Sequence, residues 1–228
     1  MCSVSWKFQN DGYQIGFNRD EKWNRPASAN PNVESQHKIP GACARDSGGG
    51  GTWFFTNEYG ITLAVMNAYP GGIVPKPGKV SRGYIPFLAA NHASVSALNQ
   101  ALGDQTWSDY APCDIILIAP GIIQHFSWDG VIFRTNPLPP QPFLTASSVN
   151  CEIVRKARIA RYEQISSQPI QQILDDDSAE EPAQAIHVHR EDGGTVSKTF
   201  VTVSASEIRF SVARRDQPAI EIIFPRKS

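Results

Sequence analysis

Apolar and polar residues alternate from the beginning of the chain: Val4, Trp6 and Phe8 against Ser3, Ser5 and Lys7, and then, after Asn10-Asp11-Gly12, Tyr13, Ile15 and Phe17. A period of two on both sides of an Asp-Gly turn predicts a β-hairpin that starts almost at residue 1. A second hairpin is expected from strands at 52–56 and 61–66, joined by Asn57-Glu58-Tyr59-Gly60. Between the two, residues 24–51 are rich in Pro, Asn, Ser and Gly and show no period, which reads as one long loop over the surface or a cleft. After the Pro/Gly segment 70–78 the spacing becomes helical. Ile85, Leu88, Ala89, Val95, Leu98 and Leu102 fit one or two helices ending near Gly103.

Three closely spaced strands follow at 114–119, 122–127 and 131–135, with turns at Pro120-Gly121 and Asp129-Gly130. The gaps are too short for βαβ crossovers, so these strands form an antiparallel meander. A proline cluster at 137–142 interrupts the chain, helical spacing returns over 151–165, and a short helix follows through Ile170, Ile173 and Leu174. The acidic stretch 175–181 is a solvated loop, and strands at 185–189, 198–204, 207–213 and 219–224 close the chain. This order predicts an α+β protein whose antiparallel sheets need helical covers. A length of 228 residues suits a single domain, 1–228.

With 41% hydrophobic and only 19% charged residues the chain can bury a core, and a formal charge of −1 lacks the basic signature of a nucleic-acid binder. No apolar run reaches the roughly 20 residues of a membrane helix, and residues 1–7 do not read as an export signal. The four cysteines, Cys2, Cys43, Cys113 and Cys151, stand far apart without zinc or disulfide spacing. A reducing, cytoplasmic setting is the expectation.

Most chemical candidates fall on inspection. Gly48 to Gly51 are followed by Thr52-Trp53-Phe54-Phe55, which opens a strand and not the helix that a phosphate loop requires. His187 and His189 share a strand face but have no third ligand nearby, and Asp175 to Asp177 lack the spacing of a calcium loop. No metal and no cofactor is expected. Cys2 remains. A small second residue favours removal of Met1, which would leave a cysteine with a free α-amine: a nucleophile and a base on one residue, with ordinary pKa values of about 8.5 and 7.7–8.0. The plain alternative is an incidental cysteine near a chain end. Against it stands the strand that begins immediately afterwards and holds the end rigid.

Asn18-Arg19-Asp20-Glu21, together with Gly50-Gly51-Thr52-Trp53, Asn57-Glu58-Tyr59-Gly60, Ser81-Arg82-Gly83 and Tyr110 ahead of the apolar run 115–118, resembles the NRDE family, which includes the transport and Golgi organization proteins. That family is similar to the N-terminal nucleophile (Ntn) hydrolases of the choloylglycine hydrolase, penicillin V acylase and acyltransferase type. The resemblance implies a four-layer αββα sandwich, two antiparallel sheets between helical layers. It also implies that Cys2 is the nucleophile and that Asp20 contacts its amine. Arg19 would supply the positive charge beside the thiol from a position shifted relative to that superfamily, which has its arginine where this chain has Phe17. Asn67 and Asn136 match oxyanion donors, and substrate contacts are implied for Asn18, Ser148 and Arg155. A Tyr-Gly-Thr-Arg-Ser-Ser stretch of the superfamily is matched only in part by 194–197, with Val196 in place of the arginine.

Together these readings describe an N-terminal cysteine amidohydrolase or acyltransferase acting on a linear amide or acyl group of a small molecule. A non-catalytic carrier or trafficking protein that keeps the fold is the alternative, and a purely structural domain explains neither Cys2 nor the run 18–21.

Overall fold

The structure, a computed structural model, describes residues 2–227. The chain opens with the hairpin β1 (Cys2–Gln9) and β2 (Gly12–Lys22). It then builds a second sheet in chain order from β3 (Asn32–Glu34), β4 (Gly41–Cys43), β5 (Phe54–Asn57), β6 (Thr62–Asn67), β7 (Cys113–Ala119), β8 (Ile122–Trp128) and β9 (Phe133–Asn136). It returns to the first sheet with β10 (Phe143–Ala146), β11 (Gly193–Val203), β12 (Glu207–Arg214) and β13 (Ile220–Pro225), arranged β10-β1-β2-β11-β12-β13. All pairings in both sheets are antiparallel.

Helices cover the outer faces. The 3-10 segment Arg82–Ala90 and α1 (Val95–Gly103) pack on the second sheet through Ile85, Ala89, Leu98 and Leu102, all buried against Phe55, Leu63 and Leu117. On the first sheet α2 (Cys151–Ile165) and α3 (Ile170–Leu174) bury Tyr162, Ile165, Ile170 and Ile173 over Phe143. The α1 end is set by Ser94, whose hydroxyl accepts the Ala97 N–H at 3.2 Å and satisfies one of the helix's orphan donors. The result is the expected αββα sandwich.

Between the sheets lies the largest core, in which Val4, Ile15, Phe17, Phe54, Val201 and Phe210 are fully enclosed. Phe54 meets Phe17 and Phe210 edge to face, with ring centres 6.1 and 5.9 Å apart. The alternation at the start of β1 therefore has a direct structural meaning: Val4 and Trp6 enter this core, while Ser3 and Ser5 face the helical layer and bond Thr145 and the Pro142 carbonyl.

Four expectations change. Residues 24–51 are not one irregular loop, because they carry β3 and β4, whose three residues each are too few to display a period. The strand expected at 185–189 is absent; His189 makes only an isolated bridge with Gly194, and β11 begins earlier than anticipated, at Gly193. The proline cluster 137–142 hides β10, which is only four residues long. The third meander strand starts at Phe133, since Asp129 accepts the N–H groups of Val131 and Ile132 at 2.8 Å each and holds them in a turn.

Phe54→Ala, which opens a cavity between the Phe17 and Phe210 rings, is expected to cost about 3–5 kcal/mol in denaturant unfolding. Ile223→Ala, on a side chain that is 50% exposed, should shift the midpoint very little.

Candidate active site

Register places the site. Cys2 pairs directly with Arg19 on β2 and with Ala146 on β10, so the first described residue is held between two strands. Directly opposed residues in an antiparallel ladder share a face, which sets Cys2 and Arg19 side by side. They border a cavity of about 220 Å³ at the end of the sandwich. Glu21 and Arg25 extend its wall, Asp46 and Gly51 enter from the 24–51 segment, Val65 and Asn67 from the end of β6, and Ser81, Arg82 and Gly83 from the start of the 3-10 segment. The 24–51 segment thus borders the site, as expected.

The walls are mostly polar. Arg19 lies over the Trp53 ring, 4.6 Å from its centre, and directs its guanidinium to Asp46 at 3.3 Å and Glu21 at 3.5 Å. Arg25 pairs with the same two carboxylates, at 3.7 Å to Glu21 and more closely to Asp46. Two guanidinium groups and two carboxylates form one closed network, so the charge expected beside the thiol is largely neutralised by Asp46 and Glu21. The Trp53 indole N–H donates to Thr199 at 3.1 Å and fixes the ring. At the rim the Thr52 N–H donates to the Gly83 carbonyl at 2.8 Å, and a Cβ on Gly51 would lie only 2.8 Å from the Gly83 backbone. Glycine is required there for two main chains to touch.

The Cys2 thiol is buried and un-ionised at neutral pH. Burial pushes its pKa up, the positive charge of the chain's N-terminus opposes the rise, the Asp20 and Glu21 carboxylates add to it, and a hydrogen bond with the Asp20 backbone again opposes it. Asp20 itself stands behind the cavity, toward the helices. Its Oδ1 accepts the Thr195 hydroxyl at 2.7 Å, and Oδ2 lies 3.8 Å from Arg158, which has no exposed surface. Arg158 is further held by Ser3, Thr145 and the Ala183 carbonyl. A β-bulge between Thr195 and Ser197 absorbs Val196, which lets Thr195 oppose Asp20 while Ser197 opposes Arg19. Val196 therefore sits in the bulge.

Of the residues named from sequence, Cys2, Arg19 and Asn67 meet in the cavity, with Asp20 immediately behind it. Sequence reasoning missed Tyr69, whose phenol oxygen accepts the Asn67 amide N–H at 3.4 Å and which stands near Ser148; both lie beside the cavity and not in its lining. Burial raises the Tyr69 pKa, so the phenol stays protonated near neutral pH. The signal was its position two residues beyond Asn67. Three expectations are corrected. Asn18 faces the helical layer, where its amide donates to the Leu174 and Ile186 carbonyls and ties β2 to α3. Asn136 is on the edge strand β9, three ladder steps from Ala64 of β6 and roughly 14 Å away, with its amide on Ser127. Arg155 lies on the solvent side of α2 against Glu152; Arg158, one turn later, is the arginine that faces inward. Among the described residues no group of three His, Cys, Asp or Glu could hold a metal ion, and no helix is long and apolar enough to cross a membrane. A larger hollow of about 680 Å³ around Trp23, His187 and Arg215 does not include Cys2.

Solved structures share this architecture. Over 100% of this chain and 97% of theirs, two variants of the conjugated bile acid hydrolase from Clostridium perfringens superpose with TM-scores of 0.58 and 0.60, at 11% and 10% identity. The Caenorhabditis elegans ortholog of N-acylethanolamine-hydrolyzing acid amidase superposes with a TM-score of 0.58 at 11% identity, over 88% of this chain and 92% of that one. The fold is that of the Ntn hydrolases. No family model matches the chain, so the NRDE resemblance rests on its motifs alone. No curated protein sequence matches it either.

Because the thiol pKa is raised, the thiolate accumulates only at alkaline pH. Alkylation of Cys2 by iodoacetamide, followed by intact mass, is expected to be slow at pH 7 and to climb about tenfold per pH unit, still rising at pH 9.

Proposed function

We propose that the protein is an N-terminal cysteine amidohydrolase, or an acyltransferase of the same chemistry, acting on a linear amide of a small molecule. The observation that carries this reading is the position of Cys2, buried at a cavity wall and clamped between β2 and β10, in a fold shared with amide hydrolases. The proposed removal of Met1 concerns a residue outside those described.

In this reading the α-amine of Cys2 takes the thiol proton as the sulfur attacks the amide carbonyl. Burial disfavours the thiolate of Cys2, which gives such a base its task. Asp20, held by Thr195 and Arg158, orients the amine. The tetrahedral oxyanion receives the Asn67 amide or a backbone N–H, with the Tyr69 phenol beside it. Collapse breaks the C–N bond, the ammonium returns its proton to the leaving amine, and a thioester remains on Cys2. Water, activated by the same amine, releases the acid; an acceptor amine in its place gives transfer. Arg19, committed to Asp46 and Glu21, acts as wall and anchor for Trp53 and less as a thiolate partner.

The test compares protein that begins at Cys2 with protein that retains Met1, both verified by intact mass, in an amine-release screen on small amides. Activity is expected only in the first form, because an acylated nitrogen is not a base near neutral pH. Cys2→Ser should fold and lose most activity, and Asn67→Ala should lower kcat about 10²- to 10³-fold. Equal activity in both forms would remove the amine from the mechanism, and none in either would favour a carrier.

A further inference from the structure

The cavity beside Cys2 contains three guanidinium groups and two carboxylates. Arg19 and Arg25 share Asp46 and Glu21, which closes that part of the charge balance. Arg82 is left over. Its Nη1 donates to the Pro112 carbonyl at 2.7 Å, an anchor that fixes the side chain without neutralising it, and among the described residues no carboxylate pairs with it. It is half-buried, and its charge reaches both the Tyr69 phenol and Cys113. The main chain around it is equally fixed, since Ser81 accepts the Gly83 N–H at 3.2 Å and the Gly83 carbonyl accepts from Thr52. A positioned guanidinium with unused donors, in a wall shared with a nucleophile, has the geometry of an anion receptor.

Size and lining narrow the ligand. A cavity of about 220 Å³ falls below the roughly 300–1,000 Å³ of pockets for drug-sized ligands. Trp53 and Val65 supply the only large apolar surfaces. We infer that Arg82 receives a carboxylate of the substrate, so that the scissile amide belongs to a small, carboxylate-bearing molecule and not to a long or polycyclic apolar acyl compound. The inference rests on the proposed nucleophilic role of Cys2. The carboxylate can belong to the amine portion, as in an N-acyl amino acid, or to the acyl portion, as in the monoamide of a dicarboxylic acid; the chemistry at Arg82 is the same.

The experiment is a ligand-observed NMR titration of the Cys2→Ala protein, which lacks the nucleophile and retains the cavity. Two probe pairs are used: N-acetylglycine against N-acetylglycinamide, and succinamic acid against succinamide. In at least one pair the carboxylate member is expected to bind roughly 10- to 100-fold more tightly, the effect of a charge-assisted hydrogen bond. The pair that shows it identifies the side of the amide bond that carries the charge. Equal binding within both pairs overturns the inference without any change at position 82. Arg82→Gln in the same background should abolish the preference, with the melting temperature recorded because Arg82 also holds Pro112. A preference that survives in folded Arg82→Gln protein likewise overturns it. Hydrolysis by protein beginning at Cys2 separates the two claims. Turnover of amides with no carboxylate preference defeats the receptor and leaves the hydrolase, whereas carboxylate binding without turnover in any form defeats the hydrolase and leaves the receptor.

Discussion

The pairing of β1 with both β2 and β10 is the constraint on which the site depends. A residue at the start of a chain is ordinarily the least ordered part of a domain. Here the hairpin sends Val4 and Trp6 into the core between the sheets, and the cost of withdrawing those side chains from their neighbours holds Cys2 in register. The position of the sulfur is thus a consequence of hydrophobic burial two and four residues away. Arg19, Trp53 and Asn67 can be set around it only because the sheets that carry them are packed through that same core.

Behind the site the structure accepts a buried charge pair. Arg158 has no exposed surface, its burial opposes its charge, and Asp20 is the counter-ion that supports it. Such pairs are poor sources of stability, and removing one partner leaves the other uncompensated. Its retention beneath Cys2 is best understood as positional. Thr195 bonds Asp20 while Ser3 and Thr145 bond Arg158, and these contacts favour one arrangement of the pair. The Val196 bulge belongs to the same device, because without the extra residue Thr195 could not face Asp20 while Ser197 faces Arg19.

Much of the fold was legible along the chain because its major strands carry either a period of two or a continuous apolar run, the latter where both faces are covered, as in β6 and β7. β1, β2, β6, β7, β8, β11, β12 and β13 all carry runs whose period or apolar content marks them. What escaped is short, as with β3, β4 and β10, or set by partners distant in sequence. The site followed the same rule. Cys2, Arg19, Asp20 and Asn67 lie in strands whose neighbours are local or recognisable by resemblance. Asn136 and Arg155 were misplaced because a strand-end asparagine and a helix arginine look alike on either side of an element. Only the packing of α2 distinguishes Arg155 from Arg158, and only the order of the second sheet removes β9 from the cavity. Tyr69 and Asp46 carried no period at all, since their neighbours come from other elements.

The contact between Gly51 and Gly83 has a consequence for how such a site can diversify. Where two main chains touch, the aperture is fixed by backbone, and no exchange of side chains at those two positions can widen or narrow it without separating β5's approach from the 3-10 segment. Variation is thereby channelled to neighbouring positions such as Arg25, Val65 and Arg82, where charge and polarity can change at constant width. Relatives built on this rim would be expected to differ in what they attract far more than in how large a molecule they admit.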